Sequence, residues 1–146
     1  MPAHLQQAAQ ASLDRAWECA RQFYRYDPKL GIKPALDYAL RSQRVLGMCY
    51  FNRRRVAINP VYLSSDTPAI MREILDITIP HEVAHQVAFD LFGDRGHGLK
   101  WKEVMNDVME LSPDRLSRIN TTKFATDKER IIIDAFNRMT YEDDTE

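Results

Sequence analysis

Cysteine is scarce in this chain: there are two, Cys19 and Cys49, thirty positions apart and in no CxxC pattern. A disulfide scaffold and a cysteine-rich zinc site are both excluded as readings. No apolar run approaches the ~20 residues needed to span a bilayer. The start, Met1-Pro2-Ala3-His4-Leu5-Gln6, has neither a basic n-region nor an apolar h-region, so no secretory leader is expected. The expectation is a soluble cytoplasmic protein with no membrane partner. Excess charge is lacking too: the formal net charge is −1, so any attraction to nucleic acid must come from a local patch and not from the global field. What remains is ordinary globular material. With 146 residues, 45% hydrophobic and 28% charged, the chain is long enough for one domain with a real core.

Periodicity divides the chain. From about Ala3 to Tyr24, Leu5, Ala9, Leu13, Ala16, Trp17, Ala20, Phe23 and Tyr24 recur at three- and four-residue steps, which predicts an amphipathic helix. Asp27-Pro28 and Gly31 break it. Between Pro34 and Asn59 the period becomes two: Leu36, Tyr38 and Leu40, then Leu46, Met48 and Tyr50, then Val56 and Ile58. These runs predict a three-stranded antiparallel meander, ended by Pro60. Thr67-Pro68 is a helix opening, a hydroxyl at the N-cap and proline at the first helical position. The helix runs to Phe92 before Gly93, with a kink or fresh start expected at Pro80. Trp101, Val104, Met105, Val108 and Met109 predict a further helix. Thr126-x-x-Glu129 is a capping box before Ile132, Phe136 and Met139, a last helix that offers a surface for a protein partner. The end, Glu142-Asp143-Asp144-Thr145-Glu146, is acidic. The fold class is α+β.

The chemistry lies in His81-Glu82-Val83-Ala84-His85, an HExxH pattern, with His97 twelve residues later between Gly96 and Gly98. Positions i and i+4 share one helix face, so His81 and His85 can present their imidazoles to one cation. Glu82 lies about 100° round the helix, badly aimed to ligate but well placed to activate a water. A hydrolytic zinc needs three protein ligands and an open position. Residues alone offer two candidates for the third ligand: His97, whose flanking glycines allow a sharp turn and close backbone approach, and Glu103, with Asp107 four residues on. The metzincin spacing fails, because Ala88 and Leu91 stand where its glycine and third histidine belong. Asp90 and Asp94 could orient ligand imidazoles, although acids at such positions more often lie on the surface. Tyr62 and Trp101 are candidates for substrate contact, with core packing the better reading.

Taken together, Val56-Ala57-Ile58-Asn59-Pro60, Pro80-His81-Glu82-Val83-Ala84-His85 and Gly96-His97-Gly98-Leu99-Lys100-Trp101 resemble the SprT-like metalloprotease domain of bacterial SprT and eukaryotic Spartan proteases. The similarity runs from about Tyr24 to Asn120, giving a zincin-type domain over 1–120 and a C-terminal helix with acidic tail over 121–146. It implies that His97, matching the histidine of an HGxxW segment that ends here at Trp101, is the third ligand. It also implies one zinc per chain, Glu82 as general base, and a zinc-dependent endopeptidase acting on DNA-bound or DNA-crosslinked proteins. One departure concerns the cysteine-rich zinc ribbon of bacterial members: this chain has no cysteine after Cys49. Within the chain, the candidate DNA contact is Arg41, Arg44, Arg53, Arg54 and Arg55, with no acid between 41 and 55. Tyr50 and Phe51 are interleaved and could stack on bases. The competing reading is a solvated hairpin edge that uses charge to block strand pairing. Rival functions are a cytosolic zinc peptidase indifferent to DNA and a non-catalytic, metal-stabilised adaptor.

Overall fold

The structure, a computed structural model, describes residues 1–40, 45–64 and 66–113. Arg41, Arg44 and the helix expected from Thr126, with Ile132, Phe136 and Met139, lie outside the described residues.

The first helix, α1 (Ala3–Phe23), forms where the three-four spacing places it. It buries Leu5, Ala9, Leu13, Ala16, Trp17 and Ala20 along one stripe. Arg25 and Tyr26, both at positive φ, turn the chain out of it. Three short strands follow: β1 (Ala35–Asp37), β2 (Gly47–Tyr50) and β3 (Arg55–Ile58).

Their order corrects the expected meander. The sheet runs β1-β3-β2, so the last strand lies in the middle. β3 is parallel to β1, with Leu36 opposite Val56, and antiparallel to β2, with Cys49 opposite Val56. The physical reason lies in burial. Val56, Ala57 and Ile58 are three consecutive buried residues, so β3 is covered on both faces, as a central strand requires. β2 alternates buried with half-buried residues, and β1 has no buried residue, so both belong at edges. Among the described strands only the β2–β3 link is a hairpin. Its turn closes from the Arg54 N–H to the Phe51 carbonyl, and Arg54 adopts φ 52°.

A long helical rod then crosses the domain in three parts: α2 (Pro68–Glu73), a π-helical turn (Ile74–Thr78) and α3 (Ile79–Phe92). Pro68 is at the first turn as expected, but the Thr67 hydroxyl does not cap. It donates back to the Tyr62 and Ser64 carbonyls instead. At Pro80 there is neither a break nor a new cap: the backbone stays helical, and the proline is accommodated by the wider turn before it. There the Ile79 N–H reaches five residues back to the Ile74 carbonyl. The next bond of that register would join Leu75 to residue 80, where proline has no N–H. The Ser12 hydroxyl of α1 takes that place on the Leu75 carbonyl. The missing bond is thereby replaced and α1 is fastened to the rod.

After Gly93 a short loop leads to α4 (Leu99–Glu103) and a second π-helical turn (Val104–Val108). Trp101, Val104, Met105 and Val108 face inward, as their spacing predicts. The core lies between α1, the rod and α4, with Leu13, Ile70, Ile74, Val83, Val87 and Met105 packed together. Side chains of this size each contribute about 1.5–3 kcal/mol when fully buried. Among the described residues no helix is long and apolar enough to cross a membrane.

Candidate metal centre

Residues 81–88 of α3 are all buried, polar ones included: His81, Glu82, His85 and Gln86 are each no more than 2% exposed. Buried polar side chains demand partners: Gln86 donates to the Phe51 carbonyl and to Asp90, and the His81 and His85 rings face one another. α3 supplies His81 and His85 from one face. Gly93, at φ 70°, ends the helix in a left-handed cap, its N–H on the Phe89 carbonyl and the next N–H on that of Ala88. The chain reverses there and carries His97 back over the same face.

The three imidazoles converge through Nε2. The separations are 3.2 Å between His85 and His81, 3.1 Å between His85 and His97, and 3.4 Å between His97 and His81. A tetrahedral ion with metal–nitrogen bonds of about 2.0–2.1 Å holds its ligands about 3.4 Å apart, so this triangle fits. The donor chemistry points the same way. A single N–H···N bond relieves the repulsion along one edge of such a triangle, whereas a shared cation relieves all three. These three side chains could hold a metal ion. Glu103, the other candidate, is elsewhere, its carboxylate 3.4 Å from the Lys100 ammonium on the exposed side of α4. Asp107 is exposed. Burial first, then the charges of Asp107 and Glu103, raise the phenol pKa of Tyr24.

Glu82 is fully buried, with Oε2 3.8 Å from His81 Nε2. β2 presses on its stem: a Cβ on Gly47 would lie 2.7 Å from Thr78 Cγ2 and 3.3 Å from Glu82 Cγ. Glycine here is a close-approach requirement. Trp101 belongs to the core, as expected, yet that core is the wall of the site. Its ring stacks on His85 at 5.1 Å with planes 20° apart and stands edge-on to His81 and His97. Its indole N–H donates to the His81 carbonyl. Tyr62 is half-buried and packs against the core, and burial raises its pKa.

Neither Asp90 nor Asp94 acts as an orienter of imidazole. Asp90 accepts from Arg54 through both oxygens at 2.8–2.9 Å, from Gln86 Nε2 at 3.0 Å and from the Gly31 N–H at 3.0 Å. Asp94 accepts backbone N–H groups of Gly96 and Trp101.

The described arginines of the cluster, at 53, 54 and 55, have different surroundings. Arg53 is exposed over the Tyr50 ring, and Arg55 lies 3.5 Å from Asp37. Arg54, one of the expected DNA contacts, has partners within the protein. Its guanidinium turns inward to Asp90 and the Ile32 carbonyl, because a buried carboxylate is stabilised by a bidentate cation. Phe51 is fully buried against His85 and Phe89, so base stacking is closed to it. Sequence reasoning passed over Phe51 and Gly47 as parts of the site. No local signal marks them, since both reach it only through the hairpin's placement beside α3. Trp101, four residues after His97 and opening a helix, carried such a signal.

A sequence model of the SprT-like family matches residues 20–132. Protein SprT of Shewanella oneidensis is 28% identical over 113 residues, 77% of this chain and 69% of the relative. Those of Pasteurella multocida and Pseudomonas fluorescens are 27% and 31% identical over 76% and 70% of this chain. The latter two matches cover 63% and 59% of the relatives, so the chain spans about three-fifths of their length. No solved structure matches the chain.

Proposed function

The chain belongs to the SprT-like family, and on that footing we propose that it is a zinc-dependent endopeptidase. The observation that carries this is the convergence of His81, His85 and His97 at 3.1–3.4 Å with the Glu82 carboxylate beside them. Zinc suits three imidazoles, and one ion per chain held there would polarise a scissile carbonyl and acidify a water. The protein's own residues do the rest. The three histidines, each with Nε2 turned inward, leave Nδ1 to carry the ring proton. Glu82 accepts the proton of the attacking water and passes it to the leaving amine. Its burial beside β2 keeps the carboxylate next to the His81 imidazole, where an ion held by the three histidines would lie close by.

The substrate class we propose is protein held on DNA, as the family resemblance implies, with Arg53 as the described arginine that faces solvent without an acidic partner in the same cluster. The experiment is proteolysis of a DNA-bound protein, with and without the DNA, by wild type and Glu82→Gln. The variant should keep its zinc and fold and lose about 10²–10⁴ in rate. Near-normal cleavage by Glu82→Gln would sink the mechanism. Equal cleavage of free and DNA-bound protein by wild type would favour the DNA-indifferent peptidase.

A further inference from the structure

We infer that Asp94 is the positioning residue of the third metal ligand: its carboxylate clamps both ends of the loop that carries His97. The inference rests on the metal reading above and deepens it. Two ligands stand on α3, whose backbone fixes them. His97 stands on a loop with glycine at 93, 96 and 98, and glycine loses more freedom on ordering than any other residue. Something must hold this loop, and the contacts of Asp94 do. Oδ1 accepts the Gly96 N–H at 3.0 Å, immediately before His97. Oδ2 accepts the Trp101 N–H at 3.2 Å, four residues after it. Trp101 in turn touches all three imidazoles, so the same carboxylate sets the start of α4 and the wall of the site.

Gly98 supplies an independent mark of the same device. A Cβ there would lie 2.8 Å from Asp94 Oδ2, so glycine at 98 leaves room for the carboxylate. Gly98 has no positive φ, and its requirement is therefore one of space and not of backbone conformation. A charged acceptor on two backbone N–H groups is among the stronger hydrogen-bonding arrangements. It ties the loop through backbone N–H groups on either side of His97.

The test measures zinc affinity of the full chain by chelator competition, for wild type, Asp94→Ala, Asp94→Asn, Gly98→Ala, the Asp94→Ala/Gly98→Ala double variant and His97→Ala. Thermal midpoints are taken in excess chelator. Asp94→Ala should weaken zinc binding about tenfold or more while the metal-free midpoint stays near wild type, since no residue of the 93–98 loop is fully buried. Asp94→Asn, which keeps one acceptor oxygen, should recover part of the loss. Gly98→Ala should weaken binding by displacing the carboxylate, and the double variant should be no worse than the worse single one. With cobalt in place of zinc, the visible spectrum of Asp94→Ala should shift toward that of His97→Ala. Wild-type zinc affinity in Asp94→Ala, alongside a loss in His97→Ala, overturns the inference, as does additivity of the two substitutions. An Asp94→Ala chain whose metal-free midpoint falls as far as its affinity assigns the residue to folding instead. Unchanged affinity in His97→Ala overturns the metal reading itself.

Discussion

Replacing Asp90 with alanine should cost this domain a large part of its stability, and the size follows from four contacts. The carboxylate is 5% exposed and receives the Arg54 fork, the Gln86 amide and the Gly31 N–H. These donors come from the β2–β3 turn, the loop before β1 and α3 itself. Removing one partner of a buried ion pair costs about 3–5 kcal/mol, mostly because the other charge is left stranded. Arg54 is partly shielded from that fate: its side chain is 23% exposed and keeps the Ile32 carbonyl. Gln86 likewise keeps the Phe51 carbonyl. The expected loss is therefore about 2–3 kcal/mol, or roughly 5–10 °C in Tm for a chain of this size. Urea unfolding followed by circular dichroism, in excess chelator so that metal binding does not add to stability, measures it. Arg54→Ala and the double variant complete a cycle, and the double should lose little more than Asp90→Ala alone. An Asp90→Ala chain within about 0.5 kcal/mol of wild type, the range of an ordinary surface substitution, would refute the reasoning.

Two further outcomes are expected. Gly47→Ala, which strand propensity would favour, should destabilise by about 1–3 kcal/mol through overpacking against Thr78 Cγ2 and the Glu82 stem. Adding Thr78→Ser, which removes that methyl group, should restore most of the loss in the same unfolding assay, and no rescue would place the cost elsewhere. The pKa of Tyr24 is raised by burial and then by the charges of Asp107 and Glu103. Its stabilising contribution is complete below the unfolded value near 10 and is lost as pH climbs toward the folded value, because the unfolded chain releases the proton first. Tyr24→Phe should make stability fall less steeply with pH above that point. Equal slopes in the two proteins would dismiss the assignment.

The legible parts of this molecule were those encoded over a few residues. HExxH needs only one helix to bring His81 and His85 together, and the three-four spacing before Tyr24 specifies α1 without reference to anything else. The sheet order was not encoded in that way. Alternation identifies strands, but neighbours are chosen by which strand tolerates cover on both faces, and Val56-Ala57-Ile58 wins that place only once α3 packs across the sheet. The arginine run shows the same limit. Arg53, Arg54 and Arg55 are equivalent in sequence, yet one faces solvent, one is drawn to Asp90 and one lies near Asp37. Charge density along a chain does not say where a buried carboxylate will be.

Asp90 and Asp94 sharpen the point. Each is an acid at the end of the helix that carries two histidines, and both invite the reading of a carboxylate on imidazole. The fold gives both to backbone and arginine instead. Asp90 holds the hairpin, and through it the Phe51 ring on His85; Asp94 holds the loop, and through it His97. The Trp101 ring is in contact with all three imidazoles and packs them together. Packing is stiff where the backbone is helical and soft where it is rich in glycine. His81 and His85 inherit the rigidity of a rod fastened to α1 at Ser12, while His97 stands on a loop to which the Asp94 carboxylate and the space left at Gly98 contribute. If the proposed metal is held there, ordering of the 93–98 loop should set its affinity, and a substitution far from the imidazoles in chemistry, though not in sequence, should be felt there first.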